Sequence, residues 1–135
     1  MTQKDKSAEA PKKDKGVLYL GIDLGTSRTS VCASNGVRET IASYVGYPKD
    51  VVAKKLLKKD VLFGQEALEK RLSLDLYRPL GEGVIKHDVK DDKASAANMR
   101  AAQDLIREII ARAQPRNDEL IYAVIGAPAQ APSRA

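Results

Sequence analysis

A carboxylate, a glycine and two hydroxyl side chains lie close together in the stretch 21–29, with the sequence GIDLGTSRT. An apolar run leads into this stretch and a second strand-like run leads out of it. Successive backbone N–H groups in such a bend can converge on an anion such as phosphate. Gly25 permits the unusual backbone angles and the close approach that this requires. Asp23, at the end of a buried strand, is placed to face Mg²⁺, which takes one or two carboxylates together with phosphate oxygens.

The same residues also fit an ordinary β-turn between two strands. In that interpretation Asp23 hydrogen-bonds its own backbone and Gly25 supplies a positive φ. Because both structures use the same residue types, the stretch alone leaves the two interpretations open.

The motif G-I-D-L-G-T-S-R-T resembles the first phosphate loop of the actin-like ATPase superfamily, which includes actin, bacterial MreB, chaperones and sugar kinases. The resemblance implies that Asp23 meets Mg²⁺ through water. It also implies that Gly25, Thr26, Ser27 and Arg28 contact the β- and γ-phosphates of ATP. Arg28 departs from the family, since MreB and the chaperones have Asn near this place. Its guanidinium group either adds a charge-assisted phosphate contact or projects into solvent, and we expect the latter.

Later stretches resemble the MamK branch of this superfamily, the actin-like filament proteins of bacterial magnetosomes. They are VGYPKDVV at 45–52, FGQEALE at 63–69, YRPLGEGVI at 77–85 and IGAPA at 125–129. The third of these also resembles MreB, whereas the first is more particular to MamK-like sequences. The resemblance covers about 17–129 and places the chain nearest to the MamK family.

The fold that the resemblance implies is α/β. It is an actin-like (ribonuclease H-like) ATPase lobe with a mixed sheet, an opening three-strand meander and flanking helices. We expect 1–15 to be a disordered polar tail and 16–135 to be the N-terminal part of the ATPase domain. The family's second phosphate loop, D-x-G-x-G-T, its water-positioning residue and its second lobe do not occur in this sequence. Phosphoryl transfer depends on positioning and charge neutralisation, so we do not expect this chain alone to hydrolyse ATP at a useful rate.

The function that the resemblance implies is an ATP-dependent cytoskeletal filament that organises or positions magnetosomes. Its ligands are ATP and Mg²⁺, and its partners are further copies of the full-length protein and magnetosome-associated proteins. Two alternatives stay open. The chain is either a truncated, non-catalytic lobe that binds the filament, or a fragment of an MreB-type or chaperone-type ATPase.

Composition favours a single soluble lobe of 135 residues, 43% hydrophobic and 30% charged. The net charge is only +5, and acidic residues are interspersed with the basic ones. Only 4% of the residues are aromatic, so both features argue against nucleic-acid binding. No apolar run reaches membrane-spanning length and the N-terminus lacks a secretory apolar region, so we expect a cytoplasmic protein without membrane insertion. Cys32 is the only cysteine, and we expect a small buried strand residue there. Neither a Walker nor a Rossmann motif occurs.

The elements that position the motif are predicted from periodicity and turn residues. Strands are expected at 17–24, 29–34 and 37–42, with Asn35-Gly36 favouring a type I′ hairpin turn between the last two. The Lys-rich stretch 51–59 fits a short amphipathic helix or an edge strand. A short strand at 60–64 and a helix at 65–72 follow. Gly81 and Gly83 are expected to form a turn and not a second phosphate loop.

A long helix is predicted from Ala94 to Ala113, followed by an apolar run at 120–126. One face of the helix is expected to be buried, and Glu108 and Arg112 are spaced for an ion pair. The apolar run fits an interior strand covered by helices on both faces. The residues of the buried helix face are Met99, Ala102, Ile106, Ile109 and Ala113.

Overall fold

The computed structural model of the protein describes residues 16–81 and 92–127. Within these ranges, four strands come first, short helices and strands then alternate, and one long helix precedes the last strand. The elements are β1 (Val17–Leu24), β2 (Arg28–Ala33), β3 (Arg38–Ala42), β4 (Val45–Pro48), α1 (Val51–Leu57), β5 (Leu62–Phe63), α2 (Gly64–Glu69), a 3₁₀ turn (Arg71–Ser73), β6 (Leu74–Tyr77), α3 (Asp92–Arg112) and β7 (Leu120–Gly126).

The larger sheet has the strand order β3-β2-β1-β7. β1 pairs antiparallel with β2 and parallel with β7, and β2 pairs antiparallel with β3, so the predicted three-strand meander is confirmed. Burial alternates strictly along β1, as expected for a strand with one covered face. The covered side chains of β1 are Leu18, Leu20, Ile22 and Leu24.

The long helix α3 covers the inner face of this sheet and completes the core. Its buried positions 101, 105 and 109, together with Ala113 directly after its end, follow one another at intervals of four residues, so they form one stripe. The expectation for Met99 was wrong, because this side chain is 38% exposed. It lies two positions before Ala101, which is a rotation of about 200° around the helix axis. Ala102, Ile109 and Ala113 are buried as predicted, and Ile106 is partly buried.

The hairpin between β2 and β3 uses a different turn from the one expected. The Gly36 N–H donates to the Ala33 carbonyl at 2.9 Å, and Gly36 has a φ of 95°. Asn35 does not have a positive φ, which a type I′ turn would require at both central positions. The Asn35 side chain explains the difference. It accepts from the Val37 N–H and donates to the Ala113 carbonyl at 2.8 Å, which ties the turn to the end of α3.

A smaller antiparallel sheet, with the order β5-β4-β6, carries α1 and α2. The Lys-rich stretch is helical, as one of the two expectations had it. Asp50 caps the helix α1 through a 2.8 Å hydrogen bond from the Ala53 N–H, and Lys58 ends it in a left-handed conformation. The strands β4 and β6 were not predicted, since each is only four residues long. A separate small core lies here, formed by Leu62, Ala67 and Leu74.

The strand β7 forms where predicted, but its expected interior position is not found in the described residues. It is an edge strand in the sheet order, and apart from the partly buried Ala123 its side chains are exposed on both faces, with Tyr122 and Val124 at 66% and 69%. A continuous apolar run specifies two apolar faces, and it does not specify what covers them.

Cys32 is exposed on the outer face of β2, so the prediction of a buried cysteine was wrong. The strand pattern places Thr29 and Val31 on the covered face and leaves Cys32 on the other. Among the described helices, none is long and apolar enough to cross a membrane. The predicted tail at 1–15, Gly83 and the residues from 128 onward lie outside the described residues.

Candidate phosphate site

The predicted site residues come together at one end of the larger sheet. Asp23 is the last residue but one of β1 and lies on its exposed face. Gly25, Thr26 and Ser27 form the loop between β1 and β2, and Arg28 is the first residue of β2. The loop is closed by a 2.9 Å hydrogen bond from the Gly25 N–H to the Arg28 carbonyl. Loop 25–28 is therefore a tight hairpin connection, as both sequence interpretations required.

Every carbonyl group of loop 25–28 accepts a hydrogen bond, three of them from residues outside the loop. The Ser43 hydroxyl donates to the Gly25 carbonyl at 2.8 Å, and the Ser43 N–H donates to the Ser27 carbonyl at 2.9 Å. Nε of Arg78 donates to the Thr26 carbonyl at 3.3 Å, and the Arg28 carbonyl takes the Gly25 N–H. The negative ends of these peptide dipoles are thus occupied by protein donors.

The N–H groups of Thr26 and Ser27 have no hydrogen-bond partner in the part of the chain that the structure describes. Neither do the hydroxyl groups of these two residues. Ser27 is exposed and Thr26 is half-buried, so all four groups are open to a ligand. A loop with occupied carbonyls and free N–H groups presents positive partial charge to its surroundings, which favours binding of an anion.

Gly25 is required by close approach and not by an unusual backbone angle. A Cβ atom at this position would lie 2.4 Å from the Arg28 carbonyl oxygen. The φ of Gly25 is outside the left-handed range, so that part of the expectation was wrong. Any larger residue would push apart the two ends of loop 25–28.

The sequence did not indicate that three other residues would hold loop 25–28 in place. Ser43 follows β3 directly, Thr29 was predicted to be an ordinary strand residue, and Arg78 was noted only as part of a family stretch. Thr29 and Ser43 are both 0% exposed, and their hydroxyl oxygens lie 2.8 Å apart. A serine between two strands does not by itself indicate a role in a binding site, because serine is common in turns.

The single carboxylate of Asp23 suits a metal ion that is bound mainly by water and phosphate. It does not suit a metal centre that is built from several protein side chains. Magnesium ions in nucleotide sites keep several waters and are held by one or two carboxylates and phosphate oxygens. Asp23 beside a loop with free N–H groups fits that arrangement. Among the described residues, no group of three or more His, Cys, Asp or Glu side chains is placed to hold a metal ion. The residues therefore fit an ion that arrives with a phosphate ligand, and not a metal centre made by the protein alone.

Arg28 is exposed and forms no ion pair with the described residues. Its side chain borders an open groove of about 540 Å³ between β3 and α2, which Arg112 also lines. The Arg112 guanidinium group is paired with Glu108 at 2.8 Å, as predicted, and with Glu39 at 3.9 Å. Arg28 therefore contributes a positive charge at the end of loop 25–28 that is unpaired among the described residues. This position is compatible with both expectations for the guanidinium group, that it projects into solvent or that it contacts phosphate.

Similarity to known proteins is extensive along this chain. The chain is 42% identical over 127 residues to the actin-like protein MamK of Magnetospirillum gryphiswaldense, which is 94% of the chain and 34% of that relative. It is 40% identical over 124 residues to the actin-like protein MamK of Paramagnetospirillum magneticum, again with 34% of the relative covered. Its homologues are the MamK actin-like proteins. The chain spans about a third of the length of these curated relatives, and no protein-family profile matches it.

Solved structures of MamK agree with the fold. The MamK double helical filament superimposes with a TM-score of 0.74 at 40% identity, over 87% of this chain and 34% of that one. A non-polymerising MamK mutant bound to AMPPNP gives a TM-score of 0.69 at 37% identity, over 82% of this chain and 32% of that one. MreB 5 of Spiroplasma citri shares the fold, with a TM-score of 0.52 at 21% identity over 79% of this chain and 29% of that one. The actin-like α/β fold and the MamK resemblance are confirmed.

Proposed function

We propose that this MamK homologue contributes the first phosphate-binding loop of an ATP-binding, filament-forming actin-like protein. In this proposal the N–H groups and hydroxyls of Thr26 and Ser27 contact the β- and γ-phosphates. Gly25 leaves room for the tight hairpin, and Arg28 adds positive charge. Asp23 faces a water molecule bound to Mg²⁺, which is the ion's usual way of meeting a carboxylate beside phosphates.

The observation that carries the proposal is the distribution of hydrogen bonds in loop 25–28. All its carbonyls are occupied, while two successive N–H groups are free at the end of β1. An ordinary β-turn does not need two additional side chains to occupy its carbonyl groups. Support also comes from the MamK and MreB structures that were solved with AMPPNP, a nucleotide analogue.

The biological part of the proposal is a cytoplasmic cytoskeletal filament that organises or positions magnetosomes. Its support is homology to MamK, which is known as a double helical filament. Head-to-tail contacts between identical subunits give open filaments whenever the rotation between subunits does not close a ring. Self-association of the full-length protein is therefore the partner interaction that we propose, alongside contacts with magnetosome-associated proteins.

A hybrid protein tests this proposal. The chain replaces the corresponding third of MamK from Magnetospirillum gryphiswaldense, and the fraction of protein in a high-speed pellet is measured with and without ATP. We expect ATP to change that fraction. We expect Asp23→Ala and Gly25→Val to weaken nucleotide binding by about tenfold or more, because a charged or backbone phosphate contact is worth about 1.5–3 kcal/mol.

Asp75→Ala is the matched control, since Asp75 is an exposed aspartate in the small sheet. It should bind nucleotide and pellet like the parent hybrid. If ATP never changes the pelleted fraction, the filament proposal fails. If Asp23→Ala and Gly25→Val bind nucleotide as tightly as Asp75→Ala does, the assignment of loop 25–28 is wrong.

A further inference from the structure

We infer that Ser43, supported by Thr29, and Arg78 are positioning residues that aim two backbone N–H groups at the phosphate. The inference rests on the proposed function, because it assigns these residues a role in binding the same ligand. Ser43 sets the direction of the Thr26 N–H, and Arg78 sets the direction of the Ser27 N–H. None of the three side chains has to touch the nucleotide.

The geometry of the peptide unit links each side chain to one N–H group. In a trans peptide the carbonyl and the N–H of the next residue point in opposite directions. The Ser43 hydroxyl holds the Gly25 carbonyl at 2.8 Å, so the Thr26 N–H points away from Ser43. The side chain of Arg78 holds the Thr26 carbonyl at 3.3 Å, so the Ser27 N–H points away from Arg78.

The direction of the buried hydrogen bonds follows from counting protons. Each hydroxyl has one proton to donate, and a carbonyl can only accept. The Ser43 hydroxyl therefore donates its one proton to the Gly25 carbonyl. In the short contact between the two hydroxyls, Thr29 must then be the donor and Ser43 the acceptor. The result is a chain from Thr29 to Ser43 to the Gly25 carbonyl. Hydrogen bonds in such a chain strengthen one another in a low-dielectric interior.

Burial makes this chain a rigid support. Thr29 and Ser43 are completely buried, and no buried side-chain N or O atom lacks a partner among the described residues. The Ser43 N–H also binds the Ser27 carbonyl at 2.9 Å, so a single residue holds both ends of the segment 25–27. A loop held in this way keeps its N–H groups aimed before a ligand arrives, which lowers the ordering cost of binding.

Arg78 extends the same support to the small sheet. It follows β6 directly, and its guanidinium carbon lies 6.0 Å from the centre of the Tyr44 ring. The next residue, Pro79, is buried and its carbonyl accepts from the Asn98 side chain at 3.3 Å. The backbone around Arg78 is therefore fixed on α3, and the side chain reaches loop 25–28 from a fixed base.

Site-resolved NMR on the full 135-residue chain tests the inference. The residual dipolar couplings of the Thr26 and Ser27 amides report the directions of these two N–H groups. We expect Ser43→Ala to change the Thr26 coupling and leave the Ser27 coupling, and Arg78→Met to do the reverse. AMPPNP is then titrated into the hybrid of this chain with a non-polymerising MamK, with and without each substitution. Half-saturation in Ser43→Ala should require about three to ten times more AMPPNP, as expected for the loss of one hydrogen bond.

Two further serine variants separate positioning from general damage. Ser43→Thr keeps the hydroxyl and should restore the Thr26 coupling and most of the AMPPNP affinity. Ser34→Ala removes a serine hydroxyl that accepts from the Tyr19 N–H at 3.0 Å, at the other end of the same hairpin. It should leave both couplings and the AMPPNP affinity unchanged. If Ser43→Ala fails to fold, Thr29→Val takes its place, because it keeps the side-chain shape and removes only the donor to Ser43.

The possible failures are distinguishable. If the unmodified hybrid shows no response to AMPPNP at the Thr26 and Ser27 amides, the proposed function is overturned and this inference falls with it. If the unmodified hybrid responds and the Ser43→Ala hybrid responds at the same AMPPNP concentrations, only the inference is overturned. An unchanged Thr26 coupling in Ser43→Ala overturns it as well.

Discussion

In the proposed site, loop 25–28 binds phosphate through its backbone N–H groups. Two kinds of residue then matter: those that leave room for the backbone and those that hold it in place. Gly25 belongs to the first kind, and Ser43 and Arg78 belong to the second. The motif itself could be found from the sequence, because glycine, aspartate and hydroxyl residues are strongly positional in tight loops. Ser43 could not be found in that way. It is 18 residues away from Gly25, and only the return of the chain after β3 brings the two together.

Replacing Gly25 by alanine should open the hairpin. The new Cβ atom would lie 2.4 Å from the Arg28 carbonyl oxygen, and the hydrogen bond between the two residues would have to break. We expect a loss of about 1–3 kcal/mol in the free energy of unfolding, the usual cost of forcing an atom into a packed site. Denaturant unfolding measures it.

Gly21→Ala is the control for this change. Gly21 lies in the same strand, and a Cβ atom there would have no neighbour within 4 Å. Alanine is also better suited to a strand interior than glycine by about 0.5–1 kcal/mol, so this variant should be as stable as the parent or slightly more so. Equal stabilities of the two variants would show that the close approach at Gly25 costs nothing.

At the scale of elements, α3 is the part that joins the two sheets. It covers the inner face of the larger sheet, and its Asp104 accepts a 2.6 Å hydrogen bond from the Tyr47 hydroxyl on β4 of the small sheet. Arg100 lies over the Tyr47 ring at 4.5 Å. The helix was predictable from its length and periodicity. Its contact with β4 was not, because β4 is short and the contact joins residues 57 positions apart.

The bond between Tyr47 and Asp104 should make stability depend on alkaline pH. Burial raises the pKa of Tyr47 well above its ordinary value of 10.0. The hydrogen bond to Asp104 and the negative charge of Asp104 raise this pKa further. The folded protein therefore keeps a proton that the unfolded chain releases from about pH 10 upward. The free energy of unfolding should fall as the pH rises above that value.

Tyr47→Phe should remove part of this alkaline loss and should cost about 1–2 kcal/mol at neutral pH, where the hydrogen bond to a carboxylate is intact. Denaturant unfolding at about pH 7 and about pH 11 measures both effects. At neutral pH, Tyr122→Phe is the control, because Tyr122 is 66% exposed and its hydroxyl has no hydrogen-bond partner among the described residues. A Tyr47→Phe variant as stable as the control would contradict a stabilising bond.

At the scale of the whole molecule, the sequence predicts which faces of a strand are apolar more reliably than it predicts which elements cover those faces. The apolar run of β1 predicted a buried strand, and in the structure α3 covers one of its faces. The apolar run of β7 predicted two covered faces, yet both are exposed in the described residues. A pattern of side chains along a strand depends on local geometry. Coverage depends on partners elsewhere, in a chain that spans about a third of its MamK relatives.

The two sheets share one core, although a second small cluster lies behind the small sheet. The large cluster joins Leu18 of β1 and Leu105 of α3 to Val45 of β4, so it includes side chains from both sheets. The small cluster includes Leu62, which is 1% exposed. We therefore expect the described fold to unfold as one cooperative unit and not as two.

Leucine-to-alanine variants test this cooperativity. Leu105→Ala should lower the free energy of unfolding by about 2–5 kcal/mol, since the side chain is 1% exposed and its removal leaves a cavity. Leu62→Ala should shift the same single transition, seen alike by circular dichroism and tyrosine fluorescence. Leu72→Ala, at a position that is 81% exposed, should change stability by no more than about 0.5 kcal/mol. If Leu62→Ala instead splits the unfolding curve into two transitions, the small sheet is an independent unit, and the Tyr47–Asp104 bond does not couple it to α3.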